Sequence, residues 1–126
     1  MVIPGDLRYT KEHEWVRIDG DNAVVGITDY AQDALGDVVF VDLPVVGTIV
    51  TADQPMAEVE STKSVSTIYA PVSGTVTSVN QDLAQSPQSI NSDPYGAGWL
   101  CVIAPTSGES LDALLSADDY TELTGA

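Results

Sequence analysis

Two lysines are the only primary amines that side chains supply in this 126-residue chain, Lys11 and Lys63, and one of them stands at a place that suits chemistry. Lys63 lies in "EVESTKSVSTIY", between two runs that read as strands. On the rising side Ala57 and Val59 alternate with Met56, Glu58 and Glu60, so one face can pack while the acids point out. Val65, Thr67 and Tyr69 alternate in the same way on the descending side. Ser61 suits the first position of a type I turn with Thr62 and Lys63 central, which predicts an amine at a hairpin tip in water. The turn lacks the Gly, Asn or Asp of a generic connector. Backbone crowding is least at such a tip, so a modifying enzyme can form an amide there and the attached arm can swing. An ordinary exposed lysine is the competing interpretation.

Other chemistry-bearing residues are sparse. His13, the only histidine, sits in "KEHEW" without a visible partner and reads as structural. Cys101 in "WLCVI" has no second cysteine to pair with, and its apolar flanks predict a small buried side chain. The sequence holds no Ser-His-Asp arrangement, no metal-ligand cluster and no Gly-rich phosphate loop. Four basic and nineteen acidic residues give a formal charge of -15, which disfavours nucleic acid and anionic membrane as partners. The same charge favours solubility and steers the chain toward positively charged protein faces. "MVIPGDLRYT" carries no leader pattern, and no apolar run approaches spanning length, so a cytoplasmic location is expected.

The elements that must position Lys63 are written mostly in strand residues. "EWVRI", "AVVGIT", "DVVFVDL", "GTIVT", "MAEVE", "STIYA", "GTVTSV" and "WLCVI" are short, rich in Val, Ile, Thr or aromatics, and separated by turn residues. This spacing predicts one domain over 1–126, an antiparallel sandwich or barrel with its core at about 9–105. "DGDN" at 19–22 reads as a hairpin turn. Short helices fall at the margins. Thr28 caps one through "DYAQDAL", with Gly36 as its left-handed terminator. A helical segment over about 107–123 begins near Ser110 with a Leu111, Leu114, Leu115 stripe, and Ser116 with Asp119 marks a fresh cap before Tyr120 and Leu123. "GDVVFV" at 36–41 echoes "GTVTSV" at 74–79, each followed by an apolar strand, which places Lys63 at the junction of two similar halves. A more literal match, "PVVGTIV" against "PVSGTVT", competes with that alignment.

"YTKEHEWV" at 9–16, "GITDYAQDALGDVVFVDLP" at 26–44, "ESTKSVS" at 60–66, "YAPVSGTV" at 69–76 and "INSDPYGAGWL" at 90–100, in this order, resemble the H proteins of glycine cleavage systems. The resemblance implies a mainly β, lipoyl-domain-like barrel-sandwich hybrid of two antiparallel sheets with short peripheral helices. It implies lipoic acid bound covalently to Lys63 and a carrier rather than an enzyme, expected as a monomer. A pyridoxal-phosphate-dependent glycine decarboxylase would load the arm with the aminomethyl group of glycine. An aminomethyltransferase would pass the one-carbon unit to tetrahydrofolate, and an FAD-containing dihydrolipoyl dehydrogenase would reoxidise the dithiol.

The resemblance also assigns Glu60 and Gly74 to recognition by the lipoate-attaching enzyme, against the plainer interpretations of a solvated acid and a turn glycine needing positive φ. Glu12 and Glu14 would border the cleft where the loaded arm rests. Thr67 stands where the family often has an acid, which would loosen the hold on that arm. Rival carriers fit less well. A biotin carrier typically flanks its lysine with methionines, and a lipoyl domain of a 2-oxoacid dehydrogenase usually has Asp before it, whereas Thr62 and Ser64 stand here. A non-carrier interaction module would leave the lysine motif unexplained.

Overall fold

The computed structural model describes residues 2–106 and 114–125. Strands β1 (Arg8–Tyr9), β2 (Glu14–Asp19) and β3 (Asn22–Ile27) lead into helix α1 (Asp29–Leu35). There follow β4 (Val38–Asp42), β5 (Ile49–Val50), β6 (Pro55–Ser61), β7 (Val65–Tyr69) and β8 (Gly74–Val79). After a 3-10 turn at Gln81–Ala84 come helix α2 (Ser89–Ser92), strand β9 (Cys101–Pro105) and helix α3 (Ala117–Thr124). The strands form two antiparallel sheets, one ordered β1-β2-β3-β9-β8-β5 and the other β4-β6-β7, without closing a barrel. This is the expected mainly β architecture, and all eight strand-like runs of the sequence form strands. The two-residue β1 carries too little alternation to be legible.

Local chemistry sets the joints. Asp19 pairs with Asn22, so "DGDN" is a two-residue hairpin turn, and Gly20 takes a φ of 61° there. Thr28 caps α1 by accepting the Ala31 N–H, and Ser116 caps α3 by accepting the Asp119 N–H. Leu114 and Leu115 are not helical. Leu115 instead exchanges two 2.8 Å backbone hydrogen bonds with Tyr9, which fastens the chain before α3 to β1. Ser110 and Leu111 lie outside the described residues.

The internal echo has a structural counterpart. β4 pairs with β6 and β8 pairs with β9, and each pairing carries a register shift two residues after the glycine of the shared pattern, between Val38 and Phe40 and between Val76 and Ser78. The bulged residues, Val39 and Thr77, are equivalent in the "GDVVFV" and "GTVTSV" alignment, which decides for it over the literal match. Val16, Val25, Val50, Val76, Cys101 and Ile103 of the six-stranded sheet form one buried cluster, with Met56 of the other sheet packed against it. A second cluster under the three-stranded sheet joins Leu35, Val41, Val59 and Ile68 to Leu83, Ile90 and Leu100. Cys101 is buried, as expected, and burial pushes its thiol up to about 12.

Candidate functional site

The hairpin of β6 and β7 closes by a two-residue loop, with Glu60 opposite Val65 and Val59 opposite Ser66. Ser61 N–H donates to the Ser64 carbonyl at 2.8 Å. The Ser61 hydroxyl oxygen accepts the backbone N–H groups of both Lys63 (3.3 Å) and Ser64 (3.1 Å). A serine at this position therefore replaces the backbone acceptor of an ordinary turn. Neither Thr62 nor Lys63 adopts positive φ, so the tip accepts a lysine without strain. Lys63 is exposed at its centre.

The register corrects the descending strand. A two-residue loop sets Ala57 opposite Ile68, so Ile68 is the buried residue of β7 while Val65 and Thr67 face outward. The side chains of Val65 and Thr67 accordingly share a face with Glu60 and Glu58, their partners across the strands.

A shelf next to the tip fixes it. Thr62 N–H donates to the Asp37 carbonyl at 3.0 Å. Gly36, just before Asp37, has φ 82° and ψ −158°. That conformation is not the left-handed terminator expected from the sequence. It lies in a region essentially reserved for glycine, so the residue type is set by backbone shape. A Cβ on Gly36 would come within 3.3 Å of the Lys63 Cε, so the missing side chain also makes room for the lysine stem. Asn91 holds the shelf from the other side. Its Oδ1 accepts the Val38 N–H at 2.9 Å, and its Nδ2 donates to the Gly36 carbonyl at 2.9 Å and to Gln32 Oε1 at 3.0 Å. Asn91→Ala leaves the Val38 N–H without that acceptor, and an unpaired buried donor costs about 1–3 kcal/mol. The variant is expected to unfold at lower urea, with faster hydrogen exchange at the Thr62 amide. An unchanged midpoint and exchange rate would show that Asn91 does not hold the shelf.

At the root of the tip opens a cleft of about 300 Å³ between α1 and β7. Ile27, Ala31, Leu35 and Ile68 give it an apolar floor, Ser64–Ser66 form the hairpin side, and Glu12, His13 and Tyr30 form the far wall. His13 holds a φ of 71°, an uncommon conformation for a non-glycine residue. Its ring stacks on Tyr30 at 4.6 Å, and its Nδ1 lies 2.7 Å from the Tyr120 hydroxyl. That hydroxyl also lies 2.7 Å from Thr28 Oγ1, so α3 and the cap of α1 together fix the imidazole. Burial lowers the His13 pKa, against a smaller opposing effect of Glu12, which favours the neutral ring. His13 is thus partnered after all, by a tyrosine 107 residues away that no local pattern could indicate.

The remaining predicted site residues fall in different places. Glu12 is exposed and lines the cleft. Glu14 does not line it. Its side chain is 1 % exposed, Oε1 accepts the Thr10 hydroxyl at 2.6 Å, and Oε2 accepts the Tyr69 N–H at 3.3 Å. Desolvation raises its pKa to about 7, with the two hydrogen bonds opposing and Glu12 and Asp53 adding to the rise. Thr67 opens on another hollow, with Asp42, Pro55 and Glu58. Glu60 is exposed between Phe40 and Val65. Gly74 is buried and has no positive φ. A Cβ there would collide with the Ala104 carbonyl oxygen and the Ile103 side chain, so close approach of β9 demands glycine and leaves little surface for an enzyme to read.

The glycine cleavage H-protein family profile matches residues 7–126. The chain belongs to that family. It is 61% identical over 125 residues to the glycine cleavage system H protein of Mycobacterium tuberculosis (strain ATCC 25618 / H37Rv), covering 94% of this chain and 93% of the relative. The H protein of Mycobacterium avium (strain 104) is 63% identical over 123 residues, with the same coverage. A crystal structure of a glycine cleavage system H protein from Mycobacterium marinum superposes with a TM-score of 0.90 at 47% identity, covering 98% of this chain and 100% of that one. The family consists of carrier proteins, not enzymes, and bears a lipoyl group on a lysine. A carrier role, with other glycine cleavage components as partners, follows for this chain.

Proposed function

We propose that Lys63 is the lysine that carries the lipoyl group. The observation that carries this reading is the serine-closed tip, which holds Lys63 out in solvent with an apolar cleft at its root. The residues present fit the group: an exposed amine to accept it, room for the lysine stem over Gly36, and a lining that suits an aliphatic arm. When bound, the dithiolane supplies the reactive sulfurs that accept an aminomethyl group and two electrons, chemistry that no protein side chain of this site provides. The working partners on this reading are glycine decarboxylase, aminomethyltransferase, dihydrolipoyl dehydrogenase and a lipoate-attaching enzyme, met in turn by a cytoplasmic monomer.

The chain's own residues then present, shelter and orient. The shelf at Gly36 and Asp37 limits where the tip can point. Ile27, Leu35 and Ile68 exclude water from the arm when it folds back. Glu12 is the acid placed to face a cationic arm end, while the neutral His13 ring adds no repulsion. Glu14 acts beneath this wall by tying Thr10 to Tyr69. Glu60 is available to an attaching enzyme, whereas buried Gly74 contributes through the β8–β9 spacing.

The test is exchange of label between bicarbonate and the glycine carboxyl group in the presence of the decarboxylase. The lipoylated chain is expected to support exchange and the unmodified chain to support none above background. Equal rates with both forms would exclude a lipoyl carrier role for the arm.

A further inference from the structure

The outer face of the three-stranded sheet next to Lys63 shows an arrangement that the carrier role does not require. Its first cross-strand row after the closing Ser61–Ser64 pair is Phe40, Glu60, Val65, and its second is Asp42, Glu58, Thr67. Phe40 is the only phenylalanine of the chain, yet it is 57% exposed, and Val65 is 55% exposed. The bulge at Val39 causes this. Simple alternation from buried Val38 would turn Phe40 inward, whereas the extra residue leaves both Val39 and Phe40 outside and returns Val41 to the core. The fold thus gives up the burial of an aromatic side chain on an edge strand beside the tip, in a row with a carboxylate. Asp42, Glu58 and Glu60 give the face one sign of charge. The other three basic residues, Arg8, Lys11 and Arg17, lie on β1, β2 and the turn between them, in the other sheet.

We propose that this face, centred on Phe40, Glu60 and Val65, is the docking surface for the lipoate-attaching enzyme. The occupant is an enzyme surface with an apolar socket for Phe40 and Val65 and a rim of lysine or arginine for Glu60, Glu58 and Asp42. Enzymes that act on the far end of the arm work a full arm's length from Lys63. An attaching enzyme must bring its acyl donor to Nζ itself, so it must grip the residues nearest the tip, and the Phe40 row is the first that can be gripped. The inference rests on Lys63 being the attachment lysine, and it adds an apolar anchor to the single acid, Glu60, named so far.

The experiment measures initial rates of lipoate attachment by a purified lipoate–protein ligase, with lipoate and ATP, while the concentration of the full unmodified chain is varied. Phe40→Ser is expected to raise KM about tenfold with kcat unchanged, and Phe40→Leu to recover most of the loss. Ile49→Ser, at a still more exposed apolar residue of the other sheet, is expected to leave KM unchanged. A Phe40→Ser chain with wild-type KM, modified at Lys63, would overturn the docking proposal alone. Slower decarboxylase coupling in that variant with normal attachment would also overturn it, by giving the face to the decarboxylase. A wild-type chain modified elsewhere than Lys63 would overturn the attachment reading and the docking proposal with it.

Discussion

Lys63→Arg is expected to fold like the wild-type chain and to carry no lipoyl group, with glycine exchange lost to background. The substitution keeps the positive charge and most of the aliphatic stem that lies against Gly36. At an exposed turn position it should change stability by no more than about 0.5 kcal/mol. Arginine offers no amine that forms the amide, so the loss is complete rather than partial. Urea midpoint, intact mass and exchange rate, measured on one preparation, separate the two effects. Lys11, the other lysine, lines a separate hollow with Tyr9, Asp53 and Pro71, away from the Lys63 tip. Lipoyl transfer to Lys11 in the variant, or surviving exchange, would contradict the assignment.

Glu14→Gln is expected to stabilise the fold at pH 8 and to change it little at pH 5. Burial raises the folded-state pKa of Glu14 from 4.5 to about 7, so the native chain holds this proton more tightly than the unfolded chain does. The contribution of Glu14 is therefore most favourable below 4.5 and is lost as pH rises through 7. A shift of this size corresponds to about 3 kcal/mol at pH 8. Glutamine keeps an oxygen for the Tyr69 N–H and can donate to Thr10 Oγ1, so the variant avoids the cost of a buried charge. Urea denaturation at the two pH values reads the difference directly. Equal destabilisation at both would mean that the carboxylate form, not the proton, holds Thr10 to Tyr69.

Short runs of Val, Ile, Thr and aromatic residues between turn residues made the strands legible, and the residues around Lys63 announced a tip. Where the sequence misled, the deciding residues lie far away in the chain. Glu14 is expected at the border of the arm cleft, but Glu14, Trp15 and Val16 are all buried, so β2 shows no alternation to follow. Its partners Thr10 and Tyr69 meet only in the fold. Strict alternation from buried Val38 would put Phe40 inside, and it is outside because of a bulge, which the repeat in "GTVTSV" could have signalled. Gly36 reads as a left-handed helix terminator and Gly74 as a turn glycine. One holds a glycine-only shelf for the lysine stem, and the other admits a neighbouring strand, distinctions of backbone geometry that residue type alone does not carry.

The most direct test of the carrier account is peptide mapping of the wild-type chain after incubation with lipoate, ATP and a lipoate–protein ligase. The account predicts one lipoyl group per chain, on the peptide that contains Lys63, with the formal charge going from 4 − 19 = -15 to 3 − 19 = -16. A lipoyl group on the Lys11 peptide, or a chain left unmodified while a known carrier in the same reaction is labelled, would contradict it.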